Sequence, residues 1–142
     1  MFRVTRTYRF SASHRLHVEE LGEEQNHRLF GKCNNPYGHG HNYTLHVTAA
    51  GDPDGETGLA LNRRALDELV EEAVLARIDR RDMNADVAEF QELVPTTENL
   101  ARVTAEWLCR EWSQRFGAAG PRLSRIRLEE TGRNTFDLDL EL

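Results

Sequence analysis

Apolar residues fall on the even positions between Phe2 and His14: Phe2, Val4, Tyr8, Phe10 and Ala12 alternate with polar neighbours, Arg6 alone breaks the run, and His14 keeps the same parity. Strand side chains alternate between two faces, so this period of two predicts a half-buried β-strand whose last residue is a core-facing histidine. A second alternation starts at His39, with His39, His41, Tyr43, Leu45 and Val47 on one face and Asn42, Thr44, His46 and Thr48 on the other. Both histidines of the His39-Gly40-His41 triplet thus share the apolar face. Two further alternations, Ile126, Leu128, Glu130 and then Phe136, Leu138, Leu140, Leu142, flank a Thr-Gly-Arg-Asn turn and predict a hairpin. Glu130 occupies a place that the pattern reserves for an apolar side chain.

Between these strands the period changes. Residues 51–58 (GDPDGETG) are dense in turn formers, and Leu66, Leu69, Val70, Ala73, Val74 and Ile78 then follow a helical stripe. A second helix is predicted to begin at Thr96 or Thr97, where a hydroxyl can cap free amides, and to carry Leu100, Val103, Trp107, Leu108 and Phe116 before residues 117–121 stop it. Cys109 reads as a buried residue of that helix. The polar stretch from His17 to Gly38 is long for a bare connection, so it reads as a functional loop that delivers Cys33 to the second strand. The order strand, strand, helix, helix, strand, strand predicts a single α+β domain over 1–142, with two helices on one face of a four-stranded antiparallel sheet.

Composition narrows the function classes. No apolar run approaches the roughly 20 residues of a spanning helix, and the first ten residues alternate instead of forming a signal core, so no membrane association and a cytoplasmic address are expected. A formal net charge of −6 without a basic cluster argues against nucleic acid as a partner. The two cysteines, Cys33 and Cys109, lie in unlike surroundings and are expected to remain unbridged.

Two histidines at i and i+2 on a strand point the same way, and His14 arrives on the core face of another strand. Three such ligands leave one position open on a zinc ion, which is the catalytic arrangement of that metal. A Gly-rich segment with paired histidines can equally be a surface turn. No HExxH helix and no CxxC pair occurs, which argues against a zinc peptidase or a structural zinc site.

The segments FSASHRL (10–16), RLFGKCNNPYGHGHNY (28–43), GDPDGETG (51–58), PTTEN (95–99) and LEET (128–131) resemble, in order and spacing, the signature segments of the 6-pyruvoyltetrahydropterin synthase and 6-carboxytetrahydropterin synthase family. The resemblance implies the tunnelling fold, zinc held by His14, His39 and His41, and action on 7,8-dihydroneopterin triphosphate with loss of triphosphate. It implies that Cys33 and Asp79 are catalytic and that Glu130, Thr97 and Glu98 contact the pterin ring. Each has a plainer reading: Cys33 as a loop filler, Glu130 as a solvated edge residue, Thr97 and Glu98 as capping residues. A carboxylate at an apolar position fits ring anchoring, because a buried charge is costly unless hydrogen-bonded. A thiol near a cation and Lys32 is expected to have a lowered pKa.

The resemblance also implies a homo-oligomer, trimeric or hexameric, with active sites between subunits. One position departs from it: members carry Asp-His where this chain has Asp79-Arg80, and a guanidinium cannot relay a proton as an imidazole does. Three outcomes follow from that departure: pyruvoyl formation by another proton path, the carboxy-forming reaction of the queuosine (deazapurine) pathway, or pterin binding with altered or lost turnover.

Overall fold

The computed structural model of the protein describes residues 1–140. Its sheet has five strands in the order β3 (Arg81–Asp82), β1 (Phe2–His14), β2 (His39–Gly51), β4 (Arg122–Glu130) and β5 (Asn134–Asp139). The last four pair antiparallel as the alternations predict, whereas β3 pairs parallel with Ala12 and Ser13, which corrects the expected four-stranded, purely antiparallel sheet. Two residues have no alternation to read. Their pairing is a tertiary event, anchored by the Arg80 N–H donating to the Ser11 carbonyl at 2.6 Å.

The core lies on one face of the sheet. Phe10, Tyr43, Leu45, Val47, Ile126 and Leu128 meet Leu66, Leu69 and Val70 of α2 (Arg63–Val70) and Leu100, Val103, Trp107 and Leu108 of α4 (Thr97–Phe116). Helix α2 runs on through a π turn (Glu71–Leu75) to Ile78, and the short α3 (Met83–Asp86) follows β3. Thr96 caps α4 by accepting the Asn99 N–H on its hydroxyl at 3.1 Å. Gly117, at φ 78°, ends it. Arg6, the interruption in the first alternation, forms a forked ion pair with Asp67 of α2 at 2.6 and 3.1 Å, and Tyr8 donates to the same carboxylate at 2.7 Å.

Three expectations are corrected. The polar stretch between β1 and β2 contains α1 (Gly22–Phe30), which sequence periodicity misses because its one buried residue is Asn26. That amide accepts the Val18 N–H and donates to the Val18 and Gly22 carbonyls, so a polar side chain anchors the helix where an apolar stripe would be sought. Cys109 is exposed, since it follows the buried Leu108 by one residue and is turned about 100° away from it. Strand β5 ends at Asp139, with Leu140 packing against the core beyond it, and Leu142 lies outside the described residues. Among the described residues no helix is long and apolar enough to cross a membrane.

Candidate active site

The ends of β1 and β2 bring the histidines together, with His14 opposite His39 and Ala12 opposite His41 in the register. His14 is 1% exposed, and its Nδ1–H donates to the Pro95 carbonyl at 2.8 Å. His41 shares a 2.9 Å bond between Nδ1 and the Thr131 hydroxyl. Both outer bonds use Nδ1 and so aim the two Nε2 atoms at each other, 3.1 Å apart. Cys33 enters from a 3-10 turn (Gly31–Asn34) that is fastened to the end of β1 by the Leu16 N–H donating to the Cys33 carbonyl at 2.7 Å. Its Sγ lies 3.6 Å from His41 Nε2.

The donor atoms of His14, Cys33 and His41 all lie within 4.8 Å of one another. Two imidazole nitrogens and a sulfur form a borderline-soft donor set of the kind that suits Zn²⁺, so these residues fit the metal that the sequence resemblance implies. His39 stands beside this group, its ring edge-on to His41 with centroids 4.7 Å apart. Burial, first, lowers the pKa of both His14 and His41, with neighbouring imidazoles adding to the effect, which favours the neutral form that a metal ligand needs. For Cys33 the protein groups act in the other direction from the expected one: burial and then the charge of Glu130 push the thiol up, and Lys32 does not offset them.

Glu130 faces this cluster from the last residue of β4, opposite Tyr43 of β2. The buried Thr97, first residue of α4, donates its hydroxyl to the Glu130 carboxylate. Thr97 is thus spent on Glu130 while the preceding Thr96 does the capping. The Tyr43 ring stacks on Phe10, and its hydroxyl is buried without a hydrogen-bond partner among the described residues.

A family model described as 6-pyruvoyl tetrahydropterin synthase matches residues 3–141. The chain belongs to this family. It is 40% identical to the 6-pyruvoyl tetrahydrobiopterin synthase of Poecilia reticulata over 92% of its own length and 85% of the relative's. The human protein of that name is 48% identical over 69% of this chain and 68% of its own. A solved structure of Caenorhabditis elegans 6-pyruvoyl tetrahydropterin synthase superposes with a TM-score of 0.86 at 34% identity, covering 99% of this chain and 96% of that one.

Of the residues that family resemblance singles out, His14, His41, Cys33, Glu130 and Thr97 converge within this one chain, with His39 adjoining. Glu98 is exposed on the first turn of α4 and bonds no other side chain among the described residues. Asp79 accepts the Ser11 N–H at 3.0 Å and makes no bond to Cys33. Arg80 follows it with an exposed side chain and a left-handed backbone, φ 61°. Sequence reasoning overlooked Pro95, Thr131 and Tyr43. Pro95 acts through its carbonyl and Thr131 reads as a turn residue, while Tyr43 satisfies the apolar pattern and hides a hydroxyl.

Proposed function

We propose that this chain is a zinc-dependent lyase that converts 7,8-dihydroneopterin triphosphate to 6-pyruvoyltetrahydropterin with release of triphosphate. The observation that carries the reading is that Glu130, opposite Tyr43 and next in sequence to the Thr131 that bonds His41, ends its strand on the same face as the His14, Cys33 and His41 cluster, so a carboxylate fit to anchor a ring lies beside a metal-competent donor set. The membership of the family and the names of its relatives support it.

His14 and His41 would hold the zinc, joined by His39 as the resemblance implies, with Cys33 within reach. Bound there, zinc would supply Lewis-acid polarisation of the side-chain hydroxyls of the substrate. Glu130, oriented by Thr97, would accept two hydrogen bonds from the amino group and adjacent N–H of the pterin ring. Glu98 lies one residue further along α4, at the rim. Cys33 would move the carbon-bound proton; the carbon–oxygen bond to triphosphate then breaks, and its electron pair leaves with the phosphate oxygen. Asp79 is assigned to the same proton transfer, a pairing that the bonds within one chain do not make. We therefore assign a homo-oligomer, joined through the sheet edges at β3 and β5, in which active sites at subunit boundaries complete it. Its working place in this reading is the cytoplasm.

Incubating the zinc-loaded protein with 7,8-dihydroneopterin triphosphate and identifying products by mass spectrometry tests the assignment. The pyruvoyl product with one equivalent of triphosphate is expected. A carboxylated pterin would move the chain to the carboxy-forming reaction, and intact substrate after long incubation would contradict an enzyme altogether.

A further inference from the structure

A hydroxyl buried without a partner is costly, and each such group in a folded chain calls for an explanation. The Tyr43 hydroxyl is one of these among the described residues. The ring that carries it is fixed in place: it is 1% exposed, stacks on Phe10 with centroids 5.0 Å and planes 16° apart, and meets the His41 ring at 5.8 Å. Position 43 pairs directly with Glu130 across the strands, and residues opposed in this way share a face of the sheet. The phenol therefore stands beside the candidate ring anchor. Packing alone would be served as well by a phenyl ring, which brings no orphaned oxygen.

The neighbours narrow its partner to one. Both His41 nitrogens are engaged, Nδ1 with the Thr131 hydroxyl and Nε2 toward His14, and the Cys33 sulfur is a weak acceptor. Thr97 is different. It is 3% exposed and gives its hydroxyl proton to Glu130, so its oxygen can only accept a further bond. Burial, first, and then the charge of Glu130 push the Tyr43 phenol up, so it keeps a proton to give, while Thr97 acts on it in the opposite direction. Thr97 is thus near enough to act on the phenol, yet the two make no hydrogen bond in this structure.

We propose that Tyr43 is a positioning residue for the ring anchor, donating its hydroxyl to Thr97 once a ring sits on Glu130 and so completing a chain from Tyr43 through Thr97 to the carboxylate. The proposal deepens the reading above and rests on it for the identity of the ring. A seated ring confines the carboxylate and, through their bond, the Thr97 hydroxyl to one orientation, which leaves the Thr97 lone pairs for Tyr43. Hydrogen bonds in series polarise one another, so the added donor strengthens the Thr97 bond to Glu130 and holds the carboxylate to its ligand. The ligand-free protein keeps the donor in reserve.

Tyr43→Phe isolates the hydroxyl, because it retains the ring and its stack on Phe10. Calorimetric titration of neopterin into zinc-loaded wild type, Tyr43→Phe, Thr97→Val and the double variant tests the chain, with zinc content measured after each run. Neopterin is expected to bind Tyr43→Phe about three- to tenfold more weakly than wild type, the worth of one neutral hydrogen bond. The double variant is expected to bind no more weakly than Thr97→Val, because Tyr43 acts only through Thr97. Without ligand, Tyr43→Phe is expected to unfold at a temperature equal to or above that of wild type, a result that a merely structural hydroxyl would not give. Equal neopterin affinity in wild type and Tyr43→Phe, additive losses in the double variant, weaker binding that follows zinc content, or a lower unfolding temperature of ligand-free Tyr43→Phe would overturn the proposal.

Guanosine carries the same pairing of an amino group with an adjacent ring N–H and serves as the probe if wild type does not hold neopterin. Guanosine binding with the expected losses would then uphold the role of Tyr43 and refute the pterin reading. Binding of neither ligand to wild type would overturn both.

Discussion

Gly38 passes so close to the end of β1 that a Cβ built on it would lie 2.8 Å from the carbonyl oxygen of His14. Its φ of 79° is also a conformation that side-chain-bearing residues rarely adopt. Glycine therefore lets the segment that leads from the Cys33 turn into β2 close against the strand that carries His14. Gly38→Ala should cost about 1–3 kcal/mol in stability and push His14 out of line. Thermal unfolding together with zinc content checks both effects. A variant as stable as wild type with full zinc would show that the close approach is not needed.

His14 and His41 point Nε2 at Nε2, so truncating either should remove most of the zinc. The comparison of His39→Ala with Cys33→Ala decides the third ligand. Loss of metal from His39→Ala and its retention in Cys33→Ala is the outcome expected for a thiol that moves protons, whereas the reverse would make Cys33 a ligand. Atomic absorption on the purified variants reads the answer.

Thr97 donates to Glu130 and so fixes the direction of its carboxylate. Glu130→Gln should weaken neopterin binding strongly, because the amide replaces one acceptor with a donor, and Thr97→Val should weaken it by about tenfold, the worth of one bond to a charged group. Zinc content should not change in either. Unaltered neopterin affinity in Glu130→Gln would remove the anchor from the account.

Asp67 ties α2 to β1, and Arg6, first, with help from the Tyr8 hydroxyl, holds its carboxyl below the usual range. A carboxylate with a depressed folded-state pKa lends stability above its unfolded pKa, about 3.9, and loses it as pH falls through the folded value. Asp67→Asn should therefore lower Tm by a few degrees at pH 7, a modest effect because the pair is partly exposed, and the gap should close below about pH 4. A gap of constant size across that range would mean that the ion pair is not its source.

Much of the fold was legible because four strands alternate with few breaks and the two main helices bury apolar stripes. The parts that were not legible have local causes. Asn26 anchors α1 through three backbone bonds, a device without hydrophobic period, and β3 exists only because β1 offers it an edge. The candidate site was legible in part: His14 and His41 sit on the core-facing parity and meet there, and Glu130 sits where an apolar residue belongs. The pKa of Cys33 was not, since burial and Glu130 both act against the thiolate and neither is visible in the neighbourhood of Lys32 along the chain. Thr131 was overlooked for the opposite reason. Its place in the turn already accounts for it, and its bond to His41 leaves no mark in the sequence.

The central claim is that Cys33 drives elimination of triphosphate from a pterin held between the metal cluster and Glu130. Triphosphate release from 7,8-dihydroneopterin triphosphate, measured side by side on wild type and Cys33→Ala matched for zinc content and neopterin binding, tests it most directly. The account predicts release by wild type and a rate lower by about 10²–10⁴ fold in the variant, the usual effect of losing a general acid or base. Equal rates in the two proteins, or no release by a wild type that holds both zinc and neopterin, would contradict it.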